Sequence, residues 1–81
     1  GPESNMQNET ETIQTLTPSQ YDAVCAESLR IFKADPEIEF FEAHDLALED
    51  MAYHLNVWEV IAPRGLADTY NAYLMQANTN R

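Results

Sequence analysis

The chain has 81 residues, which sets it at one small domain. Its formal net charge is −10, from 14 acids against 4 bases, a balance that repels nucleic-acid phosphates and anionic membranes and favours basic partners. A lone cysteine, Cys25, excludes an internal disulfide and a thiolate zinc cluster, and 2 glycines leave no material for a phosphate-cradling loop or a Rossmann turn.

Gly1 to Leu16 is polar, with Met6, Ile13 and Leu16 as its sizeable apolar groups. Such a stretch buries too little surface to offset its ordering entropy, so residues 1–16 are expected to form a disordered tail. Its opening Gly1-Pro2 reads as a protease-cleavage remnant, with the natural start at Met6. The folded part, residues 17–81, is then small enough that self-association or a partner would help to stabilise it. No secretory signal and no long apolar run occurs, which leads to the expectation of a soluble, cytoplasmic protein.

Thr17-Pro18-Ser19-Gln20 sets out a helix start: a capping Thr, a Pro in the first turn and a Gln placed to reach back. Tyr21, Val24, Cys25, Ser28, Leu29 and Phe32 then recur at helical spacing, giving a first helix at about 18–34. Asp35-Pro36-Glu37 repeats the start signal. Phe41, His44, Leu48, Met51, Leu55, Trp58 and Ala62 follow in steps of three and four, predicting a second helix at about 36–61 with that stripe buried. Asp45 is a fair cap in its own right, so a break near His44 would make four helices in place of three. Leu46, Tyr53, Val57 and Val60 fall on the opposite side, as in a helix held between neighbours or touching a partner.

Pro63-Arg64-Gly65 interrupts the chain, and Leu66, Tyr70, Tyr73, Leu74 and Ala77 predict a last helix at about 64–77. No segment shows strand periodicity. The expected fold is all-α, a small antiparallel bundle of three helices joined by short turns.

The acids between Asp35 and Asp50 are the most distinctive feature, since neither Lys nor Arg occurs between Lys33 and Arg64. On one continuous helix Asp35, Glu39, Glu42, Asp45 and Glu49 would share a sector opposite the apolar stripe, over ~21 Å. A solvated face is the plain explanation of such a run; a docking face for a basic surface, or a partial mimic of nucleic acid, is the functional one. Phe40 and Tyr53 join Asp35, Glu39, Glu42, Asp45, Glu49 and Asp50 as candidate partner-binding residues, because Phe40 sits beside Phe41 and cannot share its place on the stripe.

Other chemistry is poorly supported. The Glu-x-x-His ligand motif of di-iron bundles is missing, which leaves Asp50 with His54, or His44 with Asp45 and Glu49, as loose cation pairs and no expected metal or cofactor. Cys25 lies on the apolar stripe of the first helix, where a small buried hydrophobe is the ordinary role, and no enzyme activity is expected. In size and charge the chain resembles the small acidic helical proteins with which phages and mobile elements block host or defence proteins. That likeness implies an inhibitor or regulator of a basic, nucleic-acid-binding protein and transfers no residue roles. The alternative is a helical homodimer or larger homo-oligomer, acting as an accessory subunit of an assembly.

Overall fold

The computed structural model describes residues 12–80. Most of the expected tail, residues 1–11 with the Gly1-Pro2 expected to be a cleavage remnant, lies outside the described residues, as does Arg81. In chain order the elements are β1 (Ile13–Thr15), α1 (Pro18–Ala34), α2 (Phe40–Leu55), β2 (Glu59–Ile61) and α3 (Ala67–Asn80). The described residues are thus mostly helical, with three helices and a two-stranded parallel sheet among them.

α1 starts where its signals place it. Thr17 Oγ1 accepts from the Gln20 N–H at 3.1 Å, and the Thr17 N–H donates to Gln20 Oε1 at 2.9 Å. This reciprocal pair satisfies two donors that a helix start would otherwise leave open, a contribution of about 1 kcal/mol. Lys33 stands in the last turn, and the Asp35 N–H closes the helix on the Ile31 carbonyl.

The expected helix over 36–61 is corrected at both ends. Asp35 Oδ1 accepts from the Glu37 N–H at 3.0 Å, so the cap seen in the sequence folds a local turn and α2 begins later, at Phe40. Glu39 is its N-cap, with the Glu39 N–H held by Glu42 Oε1 at 2.8 Å. At the far end Asn56 adopts the left-handed conformation (φ 59°, ψ 47°), a geometry that asparagine tolerates better than most residues. The Val57 N–H then reaches back to the Ala52 carbonyl, and the chain leaves the helix axis. α2 runs unbroken through His44 and Asp45.

The released segment Glu59–Ile61 pairs with Ile13–Thr15 in register Ile13–Glu59, Gln14–Val60 and Thr15–Ile61. These strands add a short sheet to the expected helical fold and correct one expectation, a tail running to residue 16. Leu16 is only 2 % exposed, and its N–H donates to the Ile61 carbonyl at 2.9 Å. A three-residue strand is too short to display alternation, which is why periodicity missed both. The last helix is likewise displaced, starting at Ala67 after a turn in which Gly65 has φ 81° and ending at Asn80.

The core faces are also shifted by one residue on α2. Phe40 is 2 % exposed while Phe41, assigned to the buried stripe, is 60 % exposed. Ala43 and Ala47 are buried behind Phe40, and such small side chains let helices approach closely, so they set the true contact line. Phe40 fills the remaining space between Phe32 (ring centroids 5.9 Å apart) and Tyr70 (5.3 Å). Removing it should be far more damaging than removing its neighbour. Phe40→Ala is expected to lose about 3–5 kcal/mol of unfolding free energy. Phe41→Ala should stay within about 0.5 kcal/mol of the parent in denaturant titrations, as surface substitutions do.

Candidate functional site

Because α2 buries the side that carries Phe40, Ala43 and Ala47, its opposite side is turned to solvent. Glu42, Leu46, Glu49 and Tyr53 follow there in steps of four, three and four, and all are exposed. Tyr53 is 90 % exposed, so a whole aromatic ring stands in water. Asp45, also exposed, flanks the row. The outcome is a row ~16 Å long in which carboxylates alternate with apolar groups. Sequence reasoning had the acids but missed the alternation, because it treated the apolar residues of this side as a separate face. The signal was present in the 42, 46, 49, 53 spacing.

The remaining candidate residues are distributed differently. Asp35 lies in the turn after α1 and Glu39 caps α2, so neither extends the helical row. Glu42 also serves the helix, through its bond to the Glu39 N–H. Asp50 is exposed but lies toward His54 and α1, beside Ala23 and Glu27. Phe40 is in the core and is withdrawn as a partner contact. On the helix itself, Glu42, Asp45 and Glu49 span only ~10 Å in place of ~21 Å, the length of about three phosphates on one DNA strand.

A groove of about 300 Å³ adjoins this row, between the C-terminal half of α2 and β2. Leu48, Ala52 and Val60 form its apolar lining, and Asp45, Glu49 and Glu59 supply carboxylates. Trp58, expected in the core, is instead 65 % exposed and lines the same groove. It follows the left-handed Asn56, which carries it off the helix stripe.

On the interior side, His44 and Cys25 are accounted for by packing. The Tyr21 hydroxyl and His44 Nε2 are 3.0 Å apart, and the His44 ring meets Tyr70 edge-on at 4.9 Å. Burial pushes the His44 imidazole below its ordinary range, partly opposed by the nearby Asp45 carboxylate. Cys25 is fully buried, and burial raises its thiol, which keeps it protonated and poorly nucleophilic. Burial likewise raises the Tyr21 and Tyr70 hydroxyls. Among the described residues no three His, Cys, Asp or Glu side chains come together to hold a metal ion. No helix among them is long and apolar enough to cross a membrane.

The lowered His44 value has a definite sign in stability. The unfolded chain takes up a proton at the ordinary 6.5, whereas the folded protein resists it, so folding is favoured above that pH. As pH falls from about 7 through the unfolded value toward the lower folded one, that contribution is lost. His44→Gln should therefore remove part of the acid-side decline. The melting temperature of the parent should drop more between neutral and mildly acidic pH than that of the variant, and equal drops would contradict the assignment.

Comparison of the chain with protein-family models, with curated proteins and with solved structures finds no match.

Proposed function

We propose that this is a small acidic interaction protein, an inhibitor or regulator that docks the outward face of α2 on a basic surface of another protein. The observation that carries the reading is the exposed row Glu42, Leu46, Glu49 and Tyr53, flanked by Asp45. Apolar anchors ringed by charge are how interfaces combine lifetime with steering. Tyr53 presents a large rigid area at low entropy cost, and Leu46 adds an aliphatic contact about two turns away. The carboxylates meet no Lys or Arg within ion-pairing distance on this face among the described residues, whose one such pair is Arg30 with Glu27 on α1. Their charge is thus available to a basic partner.

A nucleic-acid-binding protein is the natural kind of partner, since its working surface is basic. The short ~10 Å span of these carboxylates favours contact with a cluster of Lys and Arg over imitation of an extended phosphate backbone. The reading takes the three helices as an antiparallel set joined by short turns, a rigid support for one presented face. It assigns no catalytic step to the chain.

Self-association is the second reading, favoured by the exposure of Leu46, Tyr53, Trp58 and Met75. The two differ in their response to salt, because apolar pairing between identical acidic faces is strengthened, not weakened, when charge is screened.

The test is capture from native host lysate by the parent chain and by Glu42→Lys/Asp45→Lys/Glu49→Lys, at low and high salt. Proteins bound by the parent alone, and released by salt, are the expected result. The purified partner should then bind the triple variant more than about tenfold more weakly. Capture unaffected by both the reversals and the salt would overturn docking through this face.

A further inference from the structure

Trp58 is the least expected residue of the surface. A tryptophan that is 65 % exposed leaves a large apolar area in water, yet its backbone is firmly held. The Trp58 N–H donates to the Thr12 carbonyl at 2.9 Å, so the residue just before β1 fixes the point from which the indole projects. Beside it are the apolar wall of Leu48, Ala52 and Val60 and the carboxylates of Asp45, Glu49 and Glu59. At about 300 Å³ the groove lies at the lower limit for ligand sites, a size that suits one long side chain better than a drug-sized molecule.

These features select one kind of occupant. An aliphatic stem would lie along Leu48, Ala52 and Val60, a cationic end would meet the indole face, and the carboxylates would take its N–H donors. Among the described residues that line the groove none is basic, so none of them opposes a cation. A guanidinium satisfies all three conditions together: it is planar and stacks on aromatic rings, and its fork of donors matches a carboxylate. We infer that the groove between α2 and β2 is an arginine-accepting pocket for a basic segment of the partner protein, with Trp58 as stacking platform and Asp45, Glu49 and Glu59 as acceptors. This rests on the docking reading above and deepens it, placing one partner arginine at the β2 side while the neighbouring α2 row meets the rest of the basic surface.

The chain has a single tryptophan, so its fluorescence reports this groove alone. The probe is a capped hexa-arginine peptide, titrated into the full chain at low salt and followed both by Trp emission and by calorimetry. A saturable change in emission that tracks the calorimetric curve is expected, with hexalysine binding about threefold more weakly because it cannot stack or fork. Trp58→Leu, which keeps an apolar side chain, should weaken hexa-arginine about threefold in calorimetry. Glu49→Gln/Glu59→Gln should weaken it roughly fivefold, and the charge-matched Glu37→Gln/Asp68→Gln pair, away from the groove, should change it less than twofold. Circular dichroism of each variant separates loss of binding from loss of fold. Calorimetric binding with silent Trp emission, or with both groove variants equal to the control pair, would overturn the pocket while leaving the α2 docking face standing. No binding at all at low salt would overturn both.

Discussion

A run of edge-on ring contacts holds the three helices in their relative places. Phe32 and Tyr21 come from α1, Phe40 and His44 from α2, and Tyr70 from α3. Phe32 meets Phe40 at 5.9 Å, Phe40 meets Tyr70 at 5.3 Å, Tyr70 meets His44 at 4.9 Å, and His44 meets Tyr21 at 5.7 Å. Such pairs stabilise by about 0.5–1.5 kcal/mol each beyond the area they bury. In a domain with so small a core, a chain of them fixes the rotation of α2 about its own axis. Everything presented on the surface depends on that rotation.

With Phe40, Ala43 and Ala47 turned inward, Glu42, Glu49, Leu46 and Tyr53 can only point outward. Rotating α2 to bury Phe41 instead would bring Asp45 toward the interior and expose Phe40. Burying an unpaired carboxylate is far more costly than leaving a phenylalanine half in water. The second constraint is Asn56, whose left-handed backbone ends the helix and sends Trp58 to the side while Val60 returns to the core. One face and one groove therefore follow from two local devices, a ring contact and a helix stop. Both place exposed apolar groups among carboxylates.

The sequence was legible where signals are local and redundant. The Thr17-Pro18-Gln20 cap, followed by a regular apolar stripe, located α1 to the residue, and the acidity of the second helix pointed to the side of the protein that now carries the candidate site. It was misleading where large apolar residues were weighted above small ones: Ala43 and Ala47 define the contact line of α2, but alanine adds little to an apolar pattern. It was also misleading at Asn56, because steps of three and four continue through Trp58 and Ala62 by coincidence, and one asparagine is a weak stop signal. β1 and β2 owe their pairing to each other across more than forty positions, information no local window contains. The row at 42, 46, 49 and 53 could have been read, had acids and apolar residues been considered as one surface.

The central claim is that the outward face of α2 and its adjoining groove form the working surface of the protein. Amide chemical-shift mapping of the labelled chain, with hexa-arginine added at low salt, tests it most directly. The account predicts shifts concentrated at residues 42–53 and 58–60, fading as salt is raised. Shifts spread evenly over all the acids, or centred on the exposed sides of α1 and α3, would contradict it.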